Sequence, residues 1–543
     1  MKVRISSEKN DELSNLDNNS GIRTIILSDL YQSNEDSEWT EIDVDWFCHN
    51  WYRDADGQDL TLVDGISYGQ ALTGSLKVAV ASVVRDHHAL NTIKNDGFQI
   101  VLPRQCPQIL HEVATAIFEE VDTCECDNGV SDGAWLEERI LRDYLSFKIP
   151  YVSRIFIRSM RAAQQIIFPS TRKPNRLAFG DWTNLGIEYE NVPTVWTNHY
   201  RNIRKCAFVC QPSRREIERF STSPRYSQVF EDVDFEDVLH RHPKATSANF
   251  RFALTTVVRR VLKVNTPWIA YYHSQMNGLF NSYQPASIEL PGELFEPYSV
   301  ALMVANQRLV PATLMLDGHD SSGANVPVLR NQTNSVLRFS KFVVFSQDQI
   351  DTAQNLRIND SMFVKRESPF LRKYKKIENL SQEYGVIIMT WLPQQYNPVA
   401  NIESPKETLR AALEVALQYT GKRIGIKVKD ERLEGSYVRK VVSDFAVNDR
   451  VEILVGAFSE HVQKTDFVIG GISTAVAESM IAGVSYLIFE PASNGYSDDF
   501  LFTSTTLSTA SIARDKASLI QMVQARTNSI NSPRDRFLGF SAQ

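Results

Sequence analysis

The sequence predicts an α/β protein with parallel sheets. Three observations carry that prediction. Short apolar runs of strand length alternate with amphipathic stretches of helix length along most of the chain. The run from Asp466 to Pro491 reads as strand, glycine turn, short helix, glycine stop and strand. The composition, 43% hydrophobic and 23% charged over 543 residues, is that of a globular chain long enough for two or three domains.

Residues 1–21 are polar and rich in Asn, Ser and Asp, and read as a disordered tail. They lack the apolar core of a secretory signal, so the expected location is cytoplasmic. The first strand is expected at 23–27, in Thr-Ile-Ile-Leu-Ser. A turn-rich stretch with Trp39, Trp46 and Trp51 follows. Asp64-Gly-Ile-Ser-Tyr-Gly-Gln then leads into a helix over 71–88 and a strand over 98–102. Residues 108–122 and 135–165 have helical spacing, and Leu177-Ala-Phe-Gly, Thr194-Val-Trp and Ala207-Phe-Val-Cys open short strands. Residues 212–245 are charged and carry few signals.

Trp268-Ile-Ala-Tyr-Tyr reads as a buried strand, which would place His273 and Asn277 in a polar cluster after it, at a cleft. A helix over 298–305 leads to the strand Ala312-Thr-Leu-Met-Leu, which delivers Asp317-Gly-His-Asp320. A strand in Phe342-Val-Val-Phe-Ser and a short helix over 350–356 keep the rhythm of a parallel sheet. Residues 367–380, basic and without apolar periodicity, read as a linker. A new α/β unit then starts: Gly385-Val-Ile-Ile-Met-Thr, an amphipathic helix over 406–419, Arg423-Ile-Gly-Ile-Lys-Val, Val451-Glu-Ile-Leu, the 466–491 unit and a closing helix over 511–525.

Composition excludes several classes. A formal net charge of −7 argues against a broad nucleic-acid surface, and the basic stretches at 201–205 and 365–376 read as solvated faces or linker. No apolar run reaches the eighteen or so residues of a membrane-spanning helix. All six cysteines precede residue 211, and neither Cys124-Glu-Cys126 nor Cys206-Ala-Phe-Val-Cys210 has zinc-knuckle spacing, so they read as free thiols.

The 466–491 unit carries the chemistry. Gly470 and Gly471 allow a sharp turn after the first strand. Ser473 and Thr474 are good helix N-cap residues, and Gly483 suits the residue past the helix end. No Glu or Gln stands three residues past the cap to complete a capping box. The helix start therefore leaves N–H donors and a positive dipole end for a ligand, and a phosphate suits them. An ordinary capped helix of an α/β domain is the competing reading.

This segment resembles the nucleotide-binding turn of GT-B glycosyltransferases, in particular the bacterial group of capsule Kdo transferases, GT-B sialyltransferases and CDP-glycerol polyol-phosphate transferases. In that group a Ser-Ser or Ser-Thr pair at a helix N-terminus grips the donor phosphate, a Glu follows in the helix, and a Gly-Val/Ile-Pro-like return strand comes next. Here the pair is Ser473 and Thr474, the Glu is Glu478, and the return is Gly483-Val484-Ser485. The likeness spans roughly 380–500, is fainter over 265–365, and is nearly absent before that.

The resemblance implies a GT-B-like architecture of two Rossmann-like domains with parallel sheets facing a cleft. It divides the chain into the tail (1–21), an acceptor-side Rossmann-like domain with insertions (22–366), the linker (367–380), a nucleotide-sugar domain (381–510), and a C-terminal helix and tail packing back on the first domain (511–543). It implies Asp317 as catalytic base, with His319 beside it, and donor contacts from Ser473, Thr474, Gly471, Glu478 and Glu490. The CMP-sugar enzymes carry a His-Pro pair where this chain has Lys427-Val-Lys429, so Lys427 or Lys429 would supply positive charge instead. Two surface lysines flanking a buried valine are the alternative, and Asp-Gly at 317 is also a common turn dipeptide. His273, Asn277 and Asp320 are candidate cleft residues. His242-Pro243 reads as coincidental.

The implied function is a glycosyltransferase building a bacterial surface polysaccharide or glycolipid from a nucleotide-sugar donor, with a CMP-sugar favoured. The enzyme would use a carboxylate base, no metal and no cofactor, because no Asp-x-Asp stands after a suitable strand. Its partners would be the donor, a saccharide or glycolipid acceptor, and at most a peripheral contact with the inner membrane face or with other assembly proteins. A CDP-polyol phosphotransferase, a nucleotide-sugar epimerase of the same fold and a non-catalytic scaffold are the alternatives.

Overall fold

The computed structural model describes residues 2–6, 22–26, 39, 41–103, 108–124, 176–179, 194–195, 206–207, 214–290, 296–314, 339–355, 359–366, 382–391, 405–428, 431–445, 449–471, 473–491 and 512–525. Three parallel sheets organise them. The first contains β1 (Lys2–Ser6), β2 (Ile22–Ile26), β5 (Gln99–Pro103) and β6 (Val121–Cys124), in the order β2–β1–β5–β6. Between them a small antiparallel hairpin pairs β3 (Leu62–Val63) with β4 (Ile66–Ser67). Its turn residues Asp64 and Gly65 have φ of 52° and 74°, the left-handed pair that a two-residue hairpin loop favours.

β1 corrects the expectation of a disordered tail at Lys2–Ser6, residues 7–21 lying outside the described residues. Lys2–Ser6 pairs with β2 on one side and β5 on the other, and Val3 is fully buried. Lys, Val, Arg, Ile and Ser alternate polar and apolar in the two-residue period of a strand, a signal that the polar residues after it obscure.

The second sheet has seven strands: β7 (Arg176–Phe179), β8 (Thr194–Val195), β9 (Cys206–Ala207), β10 (Ser287–Leu290), β11 (Ala312–Leu314), β12 (Lys341–Val344) and β13 (Phe363–Lys365). Their order is β13–β12–β11–β10–β7–β8–β9. The third sheet has β14 (Tyr384–Met389), β15 (Arg423–Lys427), β16 (Val451–Leu454), β17 (Phe467–Gly470), β18 (Ser485–Phe489) and β19 (Ile512–Ala513), in the order β16–β15–β14–β17–β18–β19. Numbered from its own first strand, each of these two sheets runs 3-2-1-4-5-6, with a seventh strand added to the second. That is the order of the Rossmann doubly wound fold. The expected pair of Rossmann-like sheets is thus present, with an additional parallel sheet ahead of them.

A continuous apolar core runs from Val3 to Phe342, so the additional sheet and the seven-stranded sheet share one interior. The third sheet has its own cores, one on each face. Val386, Ile388, Ile424 and Ile426 pack with Leu409, Val438 and Leu519 on one side, while Ile387, Val468 and Ile488 pack with Val476 and Ile481 on the other. Neighbouring residues in β14 thus face opposite covers, as side-chain alternation requires in a sheet buried on both faces.

Trp268-Ile-Ala-Tyr-Tyr is helical, not a strand. It lies within one 36-residue helix, Ala248–Tyr283, capped by the Ser247 hydroxyl, which accepts from the Phe250 amide. The aromatic run and Pro267 suggest a break after Thr266 and a strand. Burial of Ile269, Tyr271, Tyr272 and Met276 against the surrounding helices overrides that local preference.

The closing helix is also shorter than expected. Ile512–Ala513 pairs with β18, and Lys516–Ala525 follows it as a helix. Leu519 and Val523 are buried in the core of the third sheet, against the Pro405–Tyr419 helix. The expectation that this helix packs back on the first domain is corrected for these residues. Residues 135–165 and the linker 367–380 lie outside the described residues. No helix among the described residues is long and apolar enough to cross a membrane.

Two local features of the N-terminal half matter for stability. His242 sits between Trp39 and Trp46, with ring centroids 4.9 and 4.8 Å away. Its Nε2 lies 3.4 Å from Asp43 Oδ1, and its Nδ1 accepts from the Lys244 amide at 3.1 Å. One ring nitrogen thus faces a carboxylate and the other the backbone, so the Asp–His pair anchors the packing of the two indoles. Gly69, in the Tyr68–Ala71 turn of helix, lies against the Tyr52 ring, where an added Cβ would stand 2.1 Å from Cγ. Gly69→Ala is expected to destabilise this half by about 1–3 kcal/mol through overpacking. Urea unfolding followed by tryptophan fluorescence would reveal this as an earlier transition, and an unchanged midpoint would refute it.

Candidate active site

In an open parallel sheet ligands bind outside the carboxyl ends of the strands, where the order of strands reverses. In the third sheet this switch lies between β14 and β17, which are neighbours. Four candidate positions gather along that edge. Trp391 follows β14, Lys427 ends β15, Gly471 follows β17, and Glu490 follows β18.

The turn after β17 is built as the sequence implies. Ser473 is the N-cap of the Thr474–Ala482 helix, and its hydroxyl accepts from the Ala475 amide at 3.3 Å. The Val476 amide bonds the Ser473 carbonyl at 3.0 Å. The helix start is therefore partly self-satisfied without a capping box. Gly483 closes the helix at φ 76°, its amide reaching the Met480 and Ser479 carbonyls. Ser473 is solvent-exposed, whereas Glu478 is half-buried one turn further along the helix. Thr474 holds the first helical position.

Gly471 is where side chains crowd the turn. A Cβ built there would stand 2.5 Å from Glu490 Oε1 and 2.8 Å from Trp391 Nε1. The glycine is required by this close approach. Trp391 donates from Nε1 to the Phe489 carbonyl at 3.2 Å and packs edge-on against the Phe489 ring, and it is half-buried. Glu490 is only 6% exposed, and its amide donates to the Ala513 carbonyl at 3.0 Å. Trp391 carries no motif. Only its position, just past a strand that becomes the central one, marks it.

Beneath the turn lies Tyr486. Its phenol donates to the Gly471 carbonyl at 2.7 Å. Burial pushes this phenol well above the usual tyrosine range, the nearby Ser473 hydroxyl acts the other way, and the Glu490 charge raises it further.

Lys427 departs from the surface-lysine alternative. It is 8% exposed, and its ammonium donates to the Val428 carbonyl. Its own carbonyl accepts from the Thr390 amide and hydroxyl, both at 3.1 Å, which ties the ends of β15 and β14 together. A charge held at this edge, even buried, contributes positive potential to it.

Asp317, His319, Asp320 and Lys429 lie outside the described residues. Asp317 follows β11 in sequence by three residues. His273 and Asn277 sit on the long helix, not after a strand. Asn277 accepts from Arg308 Nη2 at 2.7 Å, and Arg308 also reaches Asn281 at 2.7 Å. This helix enters β10, and Arg308 precedes β11, so Asn277 stands by the amino ends of those strands, the edge opposite the one where ligands gather. His273 is buried; burial lowers its pKa, with Asp64 acting the other way. His461 bonds the Val455 carbonyl at 2.7 Å across the turn after β16.

No protein-family model and no curated protein sequence matches the chain. Among solved structures, the chain is similar to a UDP-GlcNAc 2-epimerase of Methanocaldococcus jannaschii in complex with UDP-GlcNAc and UDP, at 12% identity and a TM-score of 0.38, over 68% of this chain and 95% of that one. It is similar to S. aureus MnaA bound to UDP, at 12% identity and 0.41, over 68% and 93%. It is also similar to Anabaena HepE in complex with UDP and glucose, at 11% identity and 0.33, over 67% and 93%. At these values no activity carries over from them.

Proposed function

We propose that this chain is an enzyme acting on nucleotide-activated sugars, and specifically a glycosyltransferase. The observation that carries the reading is the turn after β17. A capped helix start, exposed at Ser473, lies at the switch point of a Rossmann-ordered sheet, with a buried carboxylate and an indole closed onto Gly471. Such a helix start offers amides and a positive dipole end to the phosphates of a leaving nucleotide, and preorganised donors are worth most where charge develops. Glu490 is proposed to accept hydrogen bonds from the hydroxyls of the nucleotide's sugar, and Lys427 to add positive charge.

Asp317 is proposed as the base that takes the acceptor's proton, with His319 beside it. The GT-B arrangement, in which both Rossmann-like sheets open on one cleft, would bring that carboxylate opposite the phosphate turn. The acceptor is proposed to be a saccharide or glycolipid of a bacterial surface polymer, and the donor a CMP-sugar, with no metal in the reaction.

The test is ligand binding followed by turnover. Tryptophan fluorescence, with eight tryptophans in the chain, and thermal shift are run against CMP, CDP and UDP. Stabilisation by CMP supports the CMP-sugar donor, and stabilisation by UDP alone points to a hexosyl donor or to an epimerase. Isomerisation of a nucleotide-sugar without acceptor would establish the epimerase reading, and transfer from a CDP-polyol the phosphotransferase one. If no nucleotide binds, the enzyme reading fails in favour of a scaffold. The double change Ser473→Ala with Thr474→Ala is expected to weaken nucleotide binding about tenfold or more. The lost cap contributes about 1 kcal/mol to the helix, so the fold should persist. Unchanged affinity would remove the phosphate role.

A further inference from the structure

Arg308 lies just past the Glu296–Gln307 helix, and its charge is held in place without being neutralised. Its two terminal nitrogens donate to Asn277 Oδ1 and Asn281 Oδ1, both at 2.7 Å, and its guanidinium carbon stands 5.6 Å from the centre of the Phe280 ring. These partners are neutral, and no carboxylate among the described residues pairs with it. A guanidinium fixed by amide oxygens keeps its full charge and a set orientation, which suits an oxyanion.

His273, Asn277 and Asn281 stand four residues apart, on one face of the long helix. Burial falls along this stripe, from His273 at 5% exposure to Asn281, which is exposed. The stripe thus leads inward from solvent, past Arg308, to the imidazole. Neither ring nitrogen of His273 is hydrogen-bonded among the described residues. The β3–β4 hairpin closes the inner end. The Gln307 side chain donates to the Asp64 carbonyl at 2.6 Å, which ties the hairpin to the residue before Arg308. The Asp64 carboxylate pairs with Arg225, and both are about half exposed. Next to Arg225, the Tyr226 ring stacks on Tyr68 with centroids 6.1 Å apart. Tyr68 is fully buried, and its hydroxyl has no hydrogen-bond partner among the described residues. Burial pushes the Tyr68 phenol up and the His273 imidazole down, so both are neutral near pH 7, and the charges of Asp64 and Arg225 act on each.

A buried donor left unmade is costly, and among these groups two cations face one carboxylate. Both facts call for an acceptor of negative charge. We infer that Arg308, His273, Tyr68 and Arg225 form a binding site for a small oxyanion, a phosphate or a carboxylate group, by the amino edge of the seven-stranded sheet. An anion entering along the stripe meets Arg308 first and His273 next, and competes with Asp64 for Arg225 and Tyr68. The site belongs to the other Rossmann-ordered sheet from the turn after β17, and it stands or falls independently of that turn.

The experiment is calorimetric titration of the full chain with sodium phosphate and with sodium acetate, at constant ionic strength made up with chloride. Saturable binding of at least one of the two anions is expected, and the one that binds names the source chemistry. Arg308→Gln is expected to weaken it about thirtyfold, the scale of hydrogen bonds to a charged group, and Tyr68→Phe about fivefold. Tyr68→Phe is also expected to keep or raise the thermal midpoint without anion, because it removes an unmade donor. That combination separates ligand binding from packing. Asp64→Asn keeps a residue that tolerates the left-handed backbone at φ 52° and removes the competing charge, so affinity should rise about threefold. Binding left unchanged by both Arg308→Gln and Asp64→Asn would overturn the site, as would heats no greater than those of chloride. Phosphate binding that persists in Arg308→Gln and is lost in Ser473→Ala with Thr474→Ala would overturn it too, while leaving the turn after β17 standing as the phosphate site.

Discussion

Gly471→Ala is expected to lower nucleotide affinity by about a hundredfold while the chain still folds. The added methyl carbon would stand 2.5 Å from Glu490 Oε1, 2.8 Å from Trp391 Nε1 and 3.0 Å from Trp391 Cδ1. The indole is not a loose chain end. Trp391 is held by its bond to the Phe489 carbonyl and by the Phe489 ring. Glu490 is buried, and its backbone is pinned to Ala513. The turn itself must therefore move. Overpacking of this kind costs about 1–3 kcal/mol, and because the ligand needs the turn in its present shape, that cost reads out as a loss of affinity of up to about a hundredfold. Calorimetric titration with the nucleotide that binds wild type gives the affinity, and circular dichroism checks the fold. Wild-type affinity in the alanine variant would show that no ligand uses this turn.

Asp317→Asn is expected to reduce turnover by about a hundred- to ten-thousandfold, the range a positioned general base contributes, and to leave donor affinity within twofold. Asparagine keeps the size of the side chain and removes its basicity, so the loss would report proton transfer and not packing. The two substitutions should separate cleanly, Gly471→Ala acting on donor binding and Asp317→Asn on the chemical step. An Asn variant that turns over like wild type would remove Asp317 from the base role and move attention to His319, tested by the same assay with His319→Ala.

Much of the third sheet was legible in the chain. Its strands are short apolar runs bounded by glycine and polar residues, and the Pro405–Tyr419 helix is amphipathic. In both cases local preference and burial agree. The Ser473 cap and Gly483 stop could be read because capping acts over a few neighbouring residues. The long helix was illegible for the opposite reason. Thr266-Pro267 and the aromatic residues after it favour other structure locally, and only packing on several sides holds them helical. The buried state of Lys427 was hidden too, since burial depends on which strands flank it, not on its neighbours in sequence.

The chain by itself determined that parallel α/β units would form, and that a glycine turn followed by a capped helix would end one strand, because these depend on apolar periodicity and on contacts within a single turn. The tertiary structure alone decided the rest. Strand order put β14 beside β17 across nearly eighty residues of chain. That pairing brought Trp391 to Gly471, while β18, pairing on the other side of β17, brought up Tyr486 and Glu490. No local rule joins those residues, because what unites them is the hydrogen-bonded register of neighbouring strands and the exclusion of water from the faces between them.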